Sequence, residues 1–596
     1  MSDTTRAAHE QTGLFPSDGS SNPALAEGRV RSALPDGDEE DHDPGVSGAS
    51  GHRTEAPRKT GDISGSQAGA TSEWRIRSSM LWAAYGDALG FISELTDRNG
   101  LERRTHGQPL DRLMAWRRRV GGRQGIEVEL PPGCWSDDTQ LRMAVSRSMT
   151  SHGFDVETFA RIELPVWPSY ALGGGRASKA AASNLGKPRT LWYANTFSGW
   201  IDAGGNGAAM RIQPHVWASR DHEDDFLLDV IADSVCTHGH PRAIVGACFH
   251  AATLAHCMRH GSAPDLYECH HIAVRIEAWL PSMETHPHLG STWMGLWQDA
   301  AGMSFAEGWH AAIGDLQRSI SDAEGCVGDA QQADVAYKEI VDRLSLTDSR
   351  QRGSGILTTV AAVALAAAAR EPYEAVVVAA NAVGTDTDTI ATMAGALLGA
   401  CDSAGLPPEA PLDSEYLDSE ARRLAALSRG EPVEAHAYPD VLTWTAPKAQ
   451  ADALVKSDGR LVVEGLGPVQ EIGADIVRST NEEFGWQWVM TAFGQTLLIK
   501  RRPSLRELSA GNKFELPPAM QKEALLREST STRKAASDSP SRPLDRGVCV
   551  DDAIDHARKN ITEDNALGYT VRRVARDGTI ADLAALVTAL RDDLRR

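Results

Sequence analysis

The sequence predicts an all-α domain followed by a small β-rich module. Between residues 74 and 427, apolar residues recur at the three-to-four spacing of amphipathic helices, without strand-like alternation or an internal repeat. Beyond about residue 430, apolar and polar residues alternate, and glycines separate the alternating segments. One helical core with an appended sheet is the simplest architecture for this pattern.

The composition is that of a soluble, acidic protein. The 596 residues carry a formal net charge of −21, which disfavours nucleic acid and anionic lipid as partners. No apolar run has the roughly 18 uncharged residues of a membrane span, and the polar N-terminus predicts no signal peptide. The eight cysteines form no C-x-x-C pair, so we expect reduced thiols and a cytoplasmic location.

Residues 1–73 are predicted to form a disordered tail. They are rich in Gly, Ser, Asp, Glu and Pro, and they contain too little apolar surface to offset the entropy of ordering. The helical domain is expected to cover residues 74–427, since helical periodicity starts at Trp74. Within it we predict helices at about residues 137–150, 155–163, 241–260, 269–280, 304–318, 331–343, 355–369, 373–382, 388–403 and 416–427.

An arginine-rich segment at residues 97–132 interrupts the helical pattern. Its Gly and Pro content predicts a loop or lid with one short helix near residues 110–120. In so acidic a protein, this basic patch could steer an anionic pyrophosphate toward a cleft. It could equally be a solvated helical face.

The C-terminal third is predicted to contain three parts. Residues 440–503 form the β-rich module, residues 504–545 a polar linker, and residues 546–596 a short helical segment. The sequence assigns no function to these parts. Recognition of an unknown protein and plain scaffolding both fit them.

Two acidic clusters stand at predicted helix starts. Asp386 and Asp388 precede an Ala-, Ile-, Met- and Leu-rich run, with Thr389 next to the second acid. A helix start needs only one side-chain acceptor, so the second carboxylate is surplus to capping. Such oxygen clusters suit Mg²⁺, Mn²⁺ or Ca²⁺, although two acids in a solvated turn can also simply complement the helix dipole.

The second cluster lies far upstream and has the same character. Ser136, Asp137 and Asp138 stand in front of another apolar-periodic run. Together the two clusters could supply the oxygen ligands that two divalent ions need.

Four motifs in order resemble those of the ADP-ribosylglycohydrolase family, and the resemblance covers about residues 74–427. They are Gly86-Asp87-Ala88-Leu89-Gly90 with Glu94, Ser136-Asp137-Asp138-Thr139, Gly205-Asn206-Gly207-Ala208-Ala209-Met210-Arg211, and Asp386-Thr387-Asp388-Thr389. The resemblance implies a compact orthogonal helical bundle. It also implies a metal-dependent hydrolase that removes ADP-ribose from a modified protein side chain or another ADP-ribose conjugate.

The same resemblance implies roles for individual residues. Two divalent cations, Mg²⁺ or Mn²⁺, would be held by Ser136, Asp137, Asp138, Asp386, Asp388 and Thr389. The catalytic candidates are Asp137, Asp138, Asp386 and Glu94, of which Glu94 would face the scissile ribose. The substrate-binding candidates are Gly174, Gly175, Gly205, Asn206, Gly207 and His238.

Several alternatives stay open. Arginine is the acceptor favoured by the resemblance, while serine-linked ADP-ribose and O-acetyl-ADP-ribose are rivals. A non-catalytic protein that binds ADP-ribose, or that builds a complex on the same scaffold, is the alternative of a different class. Thr385 stands where relatives usually have a glycine, and a β-branched residue resists positive φ, so the loop before Asp386 is expected to differ or the metal site to be weaker.

Overall fold

The computed structural model describes residues 65–122, 125–328, 331–473, 475–479, 483–513, 550–559 and 580–594, together with residues 568, 570, 571 and 574. Most of the predicted tail, residues 1–64, lies outside this set. The first helix begins at Gly65, earlier than the predicted start at Trp74. Within the described part of the chain, no helix combines the length and the apolar character needed to cross a bilayer.

The domain that precedes the C-terminal sheet is helical, which confirms the predicted fold class. Its helices are α1 (Gly65–Ser93), α2 (Arg98–Arg104), α3 (Asp137–Arg147), α4 (Val156–Thr158), α5 (Leu164–Val166), α6 (Arg176–Leu185), α7 (Gln213–Ala218), α8 (Leu227–Val235), α9 (Pro241–His260), α10 (Leu266–Glu277), α11 (Leu280–Thr285), α12 (Met294–Ala301), α13 (Phe305–Glu324), α14 (Ala333–Arg343), α15 (Gly355–Ala368), α16 (Pro372–Asn381), α17 (Thr387–Gly399) and α18 (Ser414–Ser428). The helix predicted at 155–163 is instead α4, a π-helical turn and α5. Sequence periodicity did not identify α7, α8, α11 and α12, because one or two turns give too short a pattern.

The prediction of a short helix near residues 110–120 is wrong. The segment contains an antiparallel hairpin of β1 (Trp116–Val120) and β2 (Ile126–Leu130). Apolar residues of both strands are buried on one face, while Arg117 and Arg119 pair with Glu129 and Glu127 across the ladder. The run of arginines obscures the two-residue alternation of a strand in the sequence. Opposite charges on neighbouring strands stabilise the hairpin. A second pair, β3 (Met149–Thr150) and β4 (Gly153–Phe154), follows α3.

The centre of the domain is a close crossing of α1 and α17. A Cβ built on Gly90 would lie 2.5 Å from the Cα of Asp388, and one built on Gly399 would lie 2.9 Å from the Cα of Ser79. The hydroxyl of Thr387 donates to the carbonyl oxygen of Gly90 at 2.9 Å. The two backbones therefore touch directly, and the start of α17 rests on α1.

The C-terminal module is an antiparallel sheet with the strand order β10-β9-β7-β6-β5, to which β8 adds by pairing with β9. The strands are β5 (Leu454–Ser457), β6 (Arg460–Val463), β7 (Gly467–Glu471), β8 (Val477–Arg478), β9 (Gly485–Thr491) and β10 (Thr496–Arg501). The module extends past its predicted end at residue 503. The backbone of Lys456 bonds to Arg506 at 2.9 Å and to Leu508 at 2.7 Å, and Asn512 is buried. The described start of the predicted linker is thus part of the sheet region, while residues 514–549 lie outside the described residues.

The module is joined to the helical domain by polar contacts. The carboxylate of Asp413 accepts bonds from the amide and hydroxyl of Thr496, at 2.7 and 2.6 Å. Arg147, at the end of α3, donates to the side chain of Gln495 at 2.7 Å. Two C-terminal helices, α19 (Val550–Lys559) and α20 (Ile580–Leu594), pack with Leu442 in a separate small cluster.

Replacing Gly90 by alanine should destabilise the domain, because the new methyl group would overlap the backbone of α17. We expect a loss of about 2 kcal/mol in the free energy of unfolding, the usual size for overpacking a tight core. Urea denaturation followed by circular dichroism measures it. Gly314→Ala is the control, since its nearest neighbour is the flexible end of Arg318 at 3.4 Å and alanine favours a helix. Equal stability of the two variants would contradict the tight crossing.

Candidate functional site

The two acidic clusters lie in the same region of the molecule. Asp137, Asp138 and Asp388 are buried at the starts of α3 and α17. Desolvation raises the pKa of Asp388 well above its usual range, and the carboxylates of Glu94, Asp138 and Asp386 raise it further. Arg142 of α3 donates to the hydroxyl of Thr392 of α17 at 2.5 Å, so the two helices are in direct contact although these residues lie 250 positions apart in the sequence.

The start of α3 is held by a carboxylate on α1. Asp87 is buried and accepts bonds from the backbone amides of Ser136 and Thr139, each at 2.9 Å. Ser136 is the N-cap, and its hydroxyl accepts a bond from the amide of Asp138 at 3.1 Å. Because Asp87 and Ser136 satisfy these amides, the carboxylates of Asp137 and Asp138 are not needed for capping.

Asp138 has an oxygen without a partner. Its Oδ1 is buried and makes no hydrogen bond within the described part of the protein. Desolvation, followed by repulsion from Asp87, Asp137 and Asp386, raises the pKa of Asp138 well above its usual range. Desolvation also raises the pKa of Asp137 to about 7, with Glu94 as the next contribution.

The start of α17 leaves a carboxylate free of capping in the same way. Asp386 is the N-cap residue, but its side chain makes no capping bond. Instead its Oδ2 accepts a bond from the side-chain amide of Asn206 at 2.8 Å. Desolvation, followed by repulsion from Glu94, raises the pKa of Asp386 to about 6. Asp388 accepts a bond from the amide of Thr389 at 2.9 Å.

Thr385 does not strain the loop before Asp386. The residue with positive φ there is Gly384, at 103°, and Thr385 has none. Its buried hydroxyl donates to the carbonyl oxygen of Ala382 at 2.8 Å. The side chain thus closes the turn, and the left-handed conformation falls on the glycine, which tolerates it.

Glu94 follows the last residue of α1 and is held by an arginine of the hairpin. Arg118 donates to its Oε2 at 3.0 Å, and both side chains are 15% exposed. Arg104 donates to the backbone carbonyl of Glu94 at 2.9 Å. The predicted basic patch is therefore divided: Arg118 belongs to the site, whereas Arg117 is 69% exposed and faces Glu129.

The glycine-rich segment at residues 204–207 lies against the loop that precedes α15. Asn206 donates its amide to the carbonyl oxygen of Gly353 at 3.0 Å, and Gly355 donates to that of Gly204 at 3.0 Å. A Cβ built on Gly207 would lie 2.9 Å from both the Oγ of Ser178 and the ring of His238. Ser178 is buried, and its hydroxyl has no partner within the described residues.

His238 is a buried, neutral imidazole. Its Nδ1 bonds to the hydroxyl of Thr237 at 2.7 Å, and burial lowers its pKa to about 3. Its uncharged ring therefore packs beside Gly207 and supplies no positive charge.

The other predicted glycine-rich segment lies against α3. A Cβ built on Gly173 would overlap Oδ1 of Asp137, so the backbone passes directly over this carboxylate. Gly174 has a φ of 113°, and Gly175 is the N-cap of α6 without a side-chain cap. The side chain of Gln140 fixes this segment by accepting the amide of Leu172 at 3.3 Å.

The two clusters offer the oxygen donors that divalent cations prefer. Within the described residues, no group of three or more His, Cys, Asp or Glu side chains could hold a metal ion as it is placed. The buried carboxylates nevertheless repel one another, and Oδ1 of Asp138 lacks a donor. Hard oxygen ligands with uncompensated negative charge are what Mg²⁺ and Mn²⁺ bind.

Two cavities of substantial volume lie elsewhere in the protein. One of about 580 Å³ is within the C-terminal module, and one of about 620 Å³ lies between β3–β4 and α7. Neither includes a residue of the acidic clusters, so volume does not identify the site.

Sequence reasoning missed the supporting roles of Asp87 and Arg118. Asp87 stands inside one of the four motifs, and its position between Gly86 and Gly90 is a signal that could have been used. Arg118 has no such signal, because its neighbours in the sequence are also arginines.

The chain matches the family model described as ADP-ribosylglycohydrolase over residues 68–433. It is 28% identical over 184 residues to the ADP-ribosyl-dinitrogen reductase glycohydrolase of Rhodospirillum rubrum; the match covers 30% of this chain and 57% of that relative. It is also similar to a solved structure named ADP-ribosylglycohydrolase-related protein complex, with 22% identity, a TM-score of 0.38, and coverage of 61% of this chain and 99% of that one.

The chain thus spans little more than half the length of the curated relative. The family model, in contrast, matches more than half of this chain and includes all four motifs. The protein belongs to the ADP-ribosylglycohydrolase family.

Proposed function

We propose that this protein hydrolyses the glycosidic bond between C1 of an ADP-ribose and a modified protein side chain. The main support is the arrangement of the two acidic helix starts: α1 contacts both of them, and capping does not account for their carboxylates. Family membership supports the same reaction class. A protein with a purely structural role would have no need for this concentration of buried negative charge.

Ser136, Asp137, Asp138, Asp386, Asp388 and Thr389 would hold two divalent cations, Mg²⁺ or Mn²⁺. When bound, these cations would orient the ribose hydroxyls and lower the pKa of the attacking water.

The chain's own residues would perform the remaining steps. Glu94 would place its negative charge beside the oxocarbenium-like ribose as the bond to the acceptor breaks. Asp137, Asp138 and Asp386 are the candidates for taking the proton from water, since each lies in this cluster with a raised pKa. All three also belong to the proposed cation site. The residue that accepts the proton would therefore also be a cation ligand.

The glycine-rich segments would bind the rest of the ADP-ribose. Gly174 and Gly175 leave the start of α6 uncapped, and the hydroxyl of Ser178 in its first turn has no partner among the residues that the structure describes. Gly205, Asn206 and Gly207 would lie along the distal ribose and the diphosphate, with His238 behind them. Backbone amides at a helix start are suited to a diphosphate.

Arginine is the acceptor we favour. The Rhodospirillum rubrum relative is named for ADP-ribosyl-dinitrogen reductase, so a protein-linked ADP-ribose is a natural class of substrate. Serine-linked ADP-ribose and O-acetyl-ADP-ribose are rivals with the same ribose chemistry. A non-catalytic ADP-ribose-binding protein remains the alternative of a different class, and the cytoplasmic location remains a prediction from composition.

Asp386→Asn should abolish most of the release of ADP-ribose from an arginine-modified protein, because it removes a charge from the proposed cation site. We expect the rate of ADP-ribose release to fall at least ~100-fold. A chelator added to the wild-type enzyme should cause a similar loss of rate. Release is measured by chromatography, with serine-linked ADP-ribose and O-acetyl-ADP-ribose tested in parallel. Asp229→Asn is the matched control, since burial also raises the pKa of Asp229, which lines a different cavity.

Turnover that survives both the chelator and Asp386→Asn would exclude the cation-dependent reaction. Binding of ADP-ribose without turnover of any of the three substrates would favour the non-catalytic alternative.

Asn206→Ala should weaken Mn²⁺ binding, because the amide of Asn206 orients the carboxylate of Asp386 at 2.8 Å. We expect an affinity lower by about 10-fold, the usual effect of losing a residue that orients a metal ligand. Isothermal titration calorimetry with Mn²⁺ measures it in the absence of substrate. Asn195→Ala, at a buried asparagine that bonds to the backbone oxygen of Cys236, controls for a general loss of packing. Equal affinities of Asn206→Ala and the wild type would show that Asp386 needs no such support.

A further inference from the structure

We propose that the C-terminal β-rich module is a positioning element of the active site: Trp486 packs on the tip of the β1–β2 hairpin and thereby keeps Arg118 on Glu94. This inference rests on the proposed function, in which Glu94 faces the ribose. It assigns the module a role within the enzyme, where the sequence offered only an unknown partner or scaffolding.

Glu94 depends on neighbours outside its helix. The last residue of α1 is Ser93, and Leu95 has a left-handed φ of 49°, so Glu94 lies at a sharp change of chain direction. Its carboxylate receives the guanidinium of Arg118 at 3.0 Å, and Arg104 holds its carbonyl oxygen. The direction of the Glu94 side chain is therefore set by where Arg118 stands.

Arg118 is in turn fixed by the hairpin. It is the central residue of β1, opposite Val128 of β2, and its guanidinium lies 4.2 Å from the centre of the Phe91 ring. A two-stranded hairpin alone is only marginally stable in water. The position of the hairpin must therefore be fixed by the residues that cover its apolar face.

Part of that cover is supplied by the C-terminal module. A Cβ built on Gly121, at the end of β1, would overlap the indole of Trp486 and lie 2.9 Å from its Cη2 atom. Trp486 is 3% exposed and belongs to the same core cluster as Val120, Ile126 and Val128. In addition, β8 lies beside β2. The tip of the hairpin is thus seated on the sheet.

The sheet itself is anchored to α3, the helix that begins with Asp137 and Asp138. Gln495, in the turn between β9 and β10, accepts a bond from Arg147 at the C-terminal end of α3. The ring of Phe493 lies 5.0 Å from the same guanidinium. One sheet therefore contacts both the hairpin that holds Glu94 and the helix that begins with Asp137 and Asp138.

Two adjacent glycines allow a matched test in the full-length enzyme. Gly121 and Gly122 both have a left-handed φ, at 84° and 72°, so alanine strains the backbone at either position. Only Gly121 contacts Trp486; a Cβ on Gly122 would meet nothing within 4 Å. We expect Gly121→Ala to lower kcat for release of ADP-ribose by about 10-fold with KM nearly unchanged, while Gly122→Ala stays within about twofold.

The Glu94→Gln background tests the route of the effect. If Gly121→Ala acts through Glu94, it should lower kcat no further in that background, because coupled residues are not additive. Trp486→Ala should reproduce the loss seen with Gly121→Ala. Hydrogen exchange of the amides in residues 116–130 supplies a readout without substrate, and it should accelerate in Gly121→Ala and Trp486→Ala but not in Gly122→Ala.

The possible failures are distinguishable. Equal losses of kcat in Gly121→Ala and Gly122→Ala, or a full further loss in the Glu94→Gln background, would overturn the positioning role while leaving the hydrolase intact. Unchanged hydrogen exchange of the hairpin in Gly121→Ala and Trp486→Ala would overturn the seating itself. A wild-type enzyme that releases no ADP-ribose would instead refute the proposed function, and with it the assignment to Glu94, whatever the exchange data show.

Discussion

The close crossing of α1 and α17 fixes the positions of both acidic helix starts. The backbone of α17 approaches α1 so tightly at Gly90 that no side chain fits between them. This contact brings Asp388 down onto α1, and Asp87 of the same α1 holds the start of α3. One helix therefore contacts both acidic starts, α17 through its main chain and α3 through the side chain of Asp87.

The clusters combine buried negative charges at an evident cost to the folded state. Burial and mutual repulsion raise the pKa of Asp137, Asp138, Asp386 and Asp388, so each carboxylate is less easily ionised than in water. Such an arrangement persists only when the surrounding fold enforces it, which the crossing helices do. Bound cations would relieve the repulsion, and this is the physical reason that a hydrolytic site rather than a packing role is proposed for it.

Local sequence signals predicted the long helices and the β-rich character of the module well, and they failed where structure depends on distant contacts. The helix at Pro241–His260 has the predicted bounds because its periodicity is long and its start is marked by proline. The hairpin of β1 and β2 was not predicted, because its stability comes from Glu127 and Glu129 on the paired strand and from contact with the C-terminal module. Likewise, the module's last segment was assigned to a linker, since its pairing with Lys456 is not visible in its own composition.

Residue types and their spacing are enough to predict the candidate chemical groups: two acid clusters at helix starts, the glycine-rich segments, and four motifs in the order of one family. They also indicate that the two acid pairs exceed what capping needs. Three further features depend on tertiary contacts: Asn206 orients Asp386, Arg118 holds the carboxylate of Glu94, and Thr385 lies without strain beside Gly384. The physical reason is that residue type and spacing fix what a side chain can donate or accept, whereas its partner is fixed by chain segments hundreds of residues away.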